Sequence, residues 1–390
     1  MDFQTIFQKI DSFFDDYIIL WKTISEIQSF TNHKTGVDRV GTYLADWIQR
    51  RNPSWQIEIN EQEYVGNVIC ITMNPTSENR PISLSGHMDT ANIRPFDKKE
   101  KIPVREDYEN IYGLGVTDCK GGIIAGLLAM DALQECEFQE RPVKLLLQSD
   151  EETSSRKSNK KTIDWICRKA MDSVAFFNLE CHHQGQVCLS RNGSVTYRFK
   201  ITGKEAHSAT GQGANAIVDA AQRILALKDC FDNEKYIWNC GTIYGGTASN
   251  VVAASCIFHV NFRFSDSVQY DAIESHVKKI KEQEFIKGCS CDVEQISKRS
   301  EMPEKEINLQ LLQKANRILS ESGLDEPILK KQFYKGSSDA GEVVANGIPC
   351  LDSLGVEGGK THSVNEYAKK DSLKTSAKRL AAMIYGWGWD

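Results

Sequence analysis

Apolar positions near the start of the chain recur at helical spacing, as in Phe3, Ile6, Phe7 and Ile10 and again in Val40, Tyr43, Leu44 and Ile48. This periodicity predicts two amphipathic helices. The pattern then changes to short apolar runs at Val68–Thr72, Ile82–Ser85, Val143–Gln148 and Val174–Leu179, separated by helix-like segments at Gly122–Glu135 and Thr162–Ala170. Such alternation predicts an α/β domain with helices on both faces of a sheet.

From about Arg191 the order differs. A strand at Ser194–Thr202, a helix at Asn215–Leu227, strands around Tyr236–Tyr244 and Ala254–Phe264, a helix at Tyr270–Glu284 and a strand at Cys291–Ile296 give the order βαββαβ. This is the split βαβ unit of ferredoxin-like domains. It reads as an insertion over residues 191–305 within an outer domain made of residues 1–190 and 306–390. The C-terminal part returns to helix and short strand and is expected to complete the first sheet.

The 390 residues are long enough for two domains, in keeping with that division. The 47 basic and 53 acidic residues, for a net charge of −6, are interspersed, which argues against a nucleic-acid partner. None of the twelve cysteines forms a C-x-x-C pair, and they read as reduced thiols. The N-terminal apolar stretch is broken by acids, and no run of 18 apolar residues occurs, so the expectation is a cytoplasmic protein without a membrane partner.

Candidate chemistry sits where predicted strands end. In Ser85-Gly86-His87-Met88-Asp89-Thr90, His87 and Asp89 suit a metal ligand and the acid that orients it, although an H-x-D pair alone also occurs as a structural feature. Gly113 to Gly122 leads into an apolar helix. A phosphate-cradling loop is the competing reading, but its spacing fits neither G-x-G-x-x-G nor the P-loop, which favours Asp118 as a rigidly held carboxylate suited to bridging two cations. Asp150, Glu151 and Glu152 follow the strand Leu145–Gln148; three adjacent carboxylates call for cations or donors to offset their repulsion, unless the loop is simply solvated. Glu180 ends another apolar run, and His362 lies in Gly358-Gly359-Lys360-Thr361-His362-Ser363.

With these residues in view, the sequence resembles the M20 family of zinc exopeptidases and deacylases. SGHMDT, GLGVTDCKGG, QSDEE, NLE, GKEAHS, GGTASNVV, SSDAGEVVANGIP and THSVNEY occur in the family's order from about Gly66 onward. The resemblance implies a zinc-exopeptidase catalytic domain carrying a ferredoxin-like lid that also mediates homodimerisation. It implies two divalent metal ions, zinc before cobalt or manganese, with Asp118 bridging, His87 and Glu180 completing one site and Glu152 and His362 the other. Asp89 would stand behind His87. Glu151 would be the general base that takes a proton from the attacking water and passes it to the leaving amine, because a carboxylate committed to metal, as Glu152 would be, cannot shuttle protons. His207 resembles the histidine that reaches a neighbouring active site to stabilise an oxyanion. Asn250 and Arg263 resemble the groups that hold the substrate carboxylate, a task for which the guanidinium fork is suited.

Two positions depart from the family pattern: Cys119 replaces a commoner methionine, and Asn261 a commoner aspartate. The implied reaction is hydrolysis of an amide beside a free carboxylate in small peptides or acyl amino acids, as in a carboxypeptidase or dipeptidase. N-acyl amino acid deacylation is the alternative, and an aminopeptidase or a catalytically silent binding protein are the remaining readings.

Overall fold

The computed structural model describes residues 2–93, 102–182, 184–231, 236–324 and 328–388. Asp2 caps the first helix, α1 (Phe3–Glu26), by accepting the Thr5 N–H at 2.8 Å, and α2 (Lys34–Arg51) follows. Then come β1 (Gln56–Asn60), β2 (Val68–Met73), β3 (Ile82–His87), β4 (Arg105–Glu106) and β5 (Asn110–Tyr112). The central helix α3 (Gly121–Glu135) leads to β6 (Val143–Gln148), α4 (Lys161–Ala170), β7 (Ala175–Asn178) and β8 (Gln186–Arg191). The inserted segment holds β9 (Gly193–Thr202), α5 (Ala216–Phe231), β10 (Ile237–Gly245), β11 (Ser255–Phe264), α6 (Ser267–Glu282) and β12 (Ser290–Arg299). The chain closes with α7 (Glu306–Glu321), β13 (Lys330–Tyr334), α8 (Ala340–Ala345), β14 (Cys350–Leu351), β15 (Gly358–Gly359), β16 (Tyr367–Lys369) and α9 (Lys370–Tyr385).

These elements form two compact units: Met1–Ser190 with Glu304–Tyr334 and Ser338–Asp390, and Arg191–Pro303 with Lys335–Ser337. The first is built on a mixed six-stranded sheet in the order β1-β2-β6-β3-β7-β14. β1, β2 and β6 pair antiparallel, whereas β6, β3, β7 and β14 run parallel. Helix α3 packs against β3, β6, α1 and α9. Its sequence GGIIAGLLAMDALQE is buried on every side up to Leu133, as expected of a helix that is apolar all round. α1 is amphipathic instead, and buries Ile6, Ile10, Tyr17, Trp21 and Ile24. β1 alternates as QIEIN over only five residues, and β4, β5, β15 and β16 have two or three residues each, too few to show a period.

The second unit is an antiparallel sheet in the order β10-β11-β9-β12 with α5 and α6 packed on it. In β9, Val195, Tyr197, Phe199 and Ile201 alternate inward, the period of a strand buried on one face. Phe199 stacks on Phe258 of β11 with ring centroids 4.6 Å apart. Lys335–Ser337, far along the chain, belong to this unit: Arg263 donates to the Lys335 carbonyl at 3.4 Å, Arg191 to Gly336 at 3.3 Å and Arg299 to Ser337 at 3.4 Å. No local pattern signals that membership.

Candidate metal centre

Parallel pairing sets three strand ends side by side. His87 closes β3 in register with Gln148 at the end of β6, and Ser85 is in register with Asn178 at the end of β7. The residues that follow, Glu151 and Glu152 after β6 and Glu180 after β7, therefore emerge at one edge of the sheet, the usual place for a site in an open α/β fold. Asp118 reaches the same edge from the irregular turn Val116–Lys120 that opens α3. His362 comes from the loop between β15 and β16 with φ of +58°, a left-handed conformation that aims its ring back at the cluster.

The geometry centres on Asp118. Its Oδ1 lies 3.0 Å from His87 Nε2 and its Oδ2 lies 3.2 Å from His362 Nε2. His362 Nε2 is also 3.1 Å from Glu152 Oε2, and His87 Nε2 is 3.8 Å from Glu180 Oε1. His87 is 2 % exposed, Glu152 7 %, Glu180 12 % and Asp118 13 %, whereas His362 is 57 % exposed and forms the open side. All five residues expected as metal ligands are thus brought together.

Carboxylates and imidazoles perturb one another throughout the cluster. Burial disfavours ionisation of Asp118, yet hydrogen bonds from His362 and His87 hold its carboxyl far below the usual range. Burial and repulsion from Asp118 push Glu152 up to about 7 and carry Glu180 well above the ordinary carboxyl range. His362 is raised to about 11 by its bonds to Asp118 and Glu152. Burial opposes a charge on His87, but the acids around it, Asp118, Asp89 and Glu180, outweigh it and its pKa stands well above the usual value. A mixed imidazole and carboxylate donor set suits divalent metals of the zinc type. The donor atoms of His87, Asp118 and Glu152 lie within 4.8 Å of one another, as do those of His87, Cys119 and Glu180. Cys119 is fully buried and its thiol donates to the Leu179 carbonyl at 3.1 Å; burial also raises its pKa, which keeps sulfur in the neutral form.

Asp89 does something the sequence did not signal. The nearest acceptor to His87 Nδ1 is the backbone carbonyl of Asp89, at 2.8 Å, while the carboxylate Oδ1 stands off at 3.5 Å. The buried carboxylate instead accepts the Thr31 hydroxyl at 2.7 Å and the N–H groups of Glu151 and Glu152 at 3.2 Å each. It ties the turn that carries both glutamates to the strand that carries His87.

A buried scaffold lies beneath the Asp118 turn. Trp21 donates to the Val116 carbonyl at 2.9 Å, and the buried Lys120 ammonium donates to the carbonyls of Ile24 and Ile27 at 3.1 and 3.0 Å, closing the end of α1. Burial brings Lys120 down to about 7. Gly122 explains itself: a Cβ there would meet the Leu179 carbonyl oxygen at 2.0 Å. The signals were present in DCKGG and THSVNEY, as residues inside ligand motifs to which no ligand role fell.

The remaining expected site residues lie in the second unit. His207 and Asn250 are neighbours: His207 bridges to Val251, and the Ser208 N–H donates to the Asn250 carbonyl at 3.0 Å. Both side chains are exposed. The His207 Nδ1 accepts the Ala209 N–H at 3.1 Å, which places the ring proton on Nε2. Arg263 stands near the far end of β11, eight residues beyond Ser255 and so roughly 26 Å along the strand from it. Asn261 Nδ2 donates to the Ser194 and Thr196 hydroxyl oxygens at 3.0 and 2.9 Å and to the Val195 carbonyl at 3.4 Å, the last a contact an acceptor-only aspartate cannot make.

The model of peptidase family M20/M25/M40 matches residues 83–386. The chain belongs to that family. Carboxypeptidase G2 from Pseudomonas sp. (strain RS-16) is 26 % identical over 312 residues, covering 78 % of this chain and 73 % of that protein. The fold is shared with a tripeptidase from Staphylococcus aureus subsp. aureus Mu50, at a TM-score of 0.73 and 22 % identity over 95 % of this chain and 97 % of that one. It is also shared with the Bacillus subtilis YXEP protein, a dinuclear metal binding peptidase of the M20 family, at a TM-score of 0.65 and 13 % identity over 96 % and 98 % of the two chains. This M20 protein is a hydrolase of the metallopeptidase class, and its clustered donors fit the family's metal dependence. Among the described residues no helix is long and apolar enough to cross a membrane.

Proposed function

We propose that this M20 hydrolase cleaves an amide bond next to a free carboxylate in small peptides, as a carboxypeptidase or dipeptidase does. The observation that carries the reading is the fork at Asp118, whose two carboxylate oxygens face two different imidazoles at 3.0 and 3.2 Å. In this reading Asp118, His87 and Glu180 hold one divalent ion and Asp118, Glu152 and His362 the other, with zinc the expected metal and cobalt or manganese its substitutes. What such a pair supplies when bound is Lewis acidity toward the scissile carbonyl and the attacking water. Glu151 takes the proton from that water at a carboxylate oxygen and returns it to the leaving nitrogen. Asp89 holds Glu151 and Glu152 in place through their backbone amides.

His207, with its Nε2 proton, donates to the oxyanion of the tetrahedral species, and Asn250 and Arg263 hold the substrate carboxylate. The placement of His207 with Asn250 at one end of the sheet and Arg263 near the other supports a lid that serves two active sites in a homodimer. Exposed apolar side chains on α5 (Ile217, Val218, Leu225) and on the edge strand β10 (Ile243, Tyr244) suit that association. All twelve cysteines are free thiols, which suits a reducing, cytoplasmic setting.

The test is a hydrolysis panel with zinc-loaded protein, comparing dipeptides, acyl-glutamates and N-acetyl amino acids of matched side chain, each also as the C-terminal amide. Activity on dipeptides or acyl-glutamates that is lost on amidation supports the proposal. Preference for N-acetyl amino acids moves the assignment to deacylation, and indifference to amidation refutes carboxylate recognition by Asn250 and Arg263.

A further inference from the structure

Glu366 lies outside the ligand set yet is only 1 % exposed. Its Oε2 accepts the Gly115 N–H at 3.0 Å, and its Oε1 accepts the N–H groups of Thr117 and Asp118 at 3.0 and 3.1 Å. Its backbone carbonyl accepts the Gly113 N–H at 3.1 Å, and its own N–H donates to the Ser363 carbonyl at 3.2 Å. β5 runs into Gly113, and Glu366 runs into β16, which pairs antiparallel with β5 through Tyr367 and Tyr112. One residue therefore closes the turn that follows His362 and grips the turn that carries Asp118. The grip depends on a backbone that only an irregular turn offers: Gly115 has φ of +76°, and the N–H groups around it converge on one point, the concave arrangement that receives an anion.

We propose that Glu366 is a positioning residue of the metal centre, fixing Asp118, and His362 through the Ser363–Glu366 turn, so that one carboxylate faces both imidazoles. It acts through these residues and touches no substrate. The inference rests on the reading of His87, Asp118, Glu152, Glu180 and His362 as metal ligands. Three buried N–H groups need an acceptor whatever the site does, so the fold alone accounts for some acceptor here; what the proposal adds is that the carboxylate sets the geometry of the metal ligands.

The test uses the full chain with Glu366→Gln and Glu366→Asp, and Glu357→Gln as a control that removes a surface pair with Lys369 in the same region. Glutamine keeps the shape, but its NH2 group must face at least one of the three backbone N–H groups. Zinc and cobalt affinities are measured by competition with a chromophoric chelator, the cobalt site by its visible absorption, and the metal-free fold by circular dichroism and melting. The expected result is an unchanged metal-free fold in Glu366→Gln, metal binding weakened ~10–100-fold and an altered cobalt spectrum, with Glu366→Asp intermediate and Glu357→Gln like wild type. A folded Glu366→Gln variant with affinity within about twofold of wild type and an unchanged cobalt spectrum overturns the proposal. Loss of the metal-free fold in both variants overturns it too, by making Glu366 a residue of general stability. A wild-type chain that takes up no metal overturns the metal centre itself and the proposal with it.

Discussion

Asp89→Asn tests the claim that Asp89 organises the site through the backbone. The carboxylate accepts three bonds, from the Thr31 hydroxyl and the Glu152 N–H on Oδ2 and from the Glu151 N–H on Oδ1. An asparagine has one acceptor oxygen, so its NH2 group must face one of the two backbone N–H groups, which is then buried without an acceptor at a cost of about 1–3 kcal/mol. The bonds that survive change from charged to neutral acceptors, losing about 1 kcal/mol more each. The sum, about 2–5 kcal/mol, corresponds to a melting temperature lower by roughly 4–10 °C for a unit of this size. Because the displaced turn carries Glu151 and Glu152, kcat/KM should fall by about 10²-fold or more as well. Thr31→Val removes one hydroxyl donor and leaves both amides paired, so it should cost only about 1 kcal/mol and little activity. Melting of metal-free and zinc-loaded protein, with the hydrolysis assay on the same samples, reads both effects. An Asp89→Asn protein that melts and turns over like wild type would refute the reasoning.

Three further outcomes follow from the same geometry. Glu151→Gln should keep full metal content while losing about 10³-fold or more in kcat, whereas Glu152→Gln should lose metal; equal metal content by atomic absorption in the two variants counts against the division of roles. Metal binding should strengthen as pH rises, because His362 holds its proton up to about 11 and Glu152 up to about 7, and these protons must leave before metal enters. The affinity should rise at least about tenfold per pH unit above 7, since His87 and Glu180 are raised along with His362, and more steeply below it; chelator competition at several pH values that finds no dependence would refute the coupling of metal binding to these protons. Gly122→Ala places a methyl against the Leu179 carbonyl, so it should destabilise the protein by about 1–3 kcal/mol or more and weaken metal binding on the Glu180 side, read by melting with and without zinc.

Much of the site was legible along the chain, because metal chemistry needs particular side chains and the sequence spells them out. His87, Asp118, Glu152, Glu180 and His362 stood out as histidines and acids at the ends of apolar runs or in glycine-rich turns, and the structure gathers all five. The βαββαβ order of the second unit was legible for a similar reason, since each strand carries its own alternation. What escaped was of two kinds. Short strands such as β5 and β16 contain too few residues to show a period, and Lys335–Ser337 join the second unit through carbonyl contacts that leave no trace in residue type.

The sequence by itself determined which side chains could bind metal or move protons, and roughly where the helices and strands would run, because both depend on residue type and short-range period. Tertiary structure alone decided that His87 and His362 meet across Asp118, that Asp89 serves the backbone of Glu151 and Glu152 as well as standing near His87, and that Glu366 grips the Asp118 turn. The physical reason is that these choices rest on strand register and on backbone N–H groups. Register is fixed by contacts between distant parts of the chain, and an N–H group is the same at every residue except proline, so the order of side chains cannot say which carboxylate it will meet.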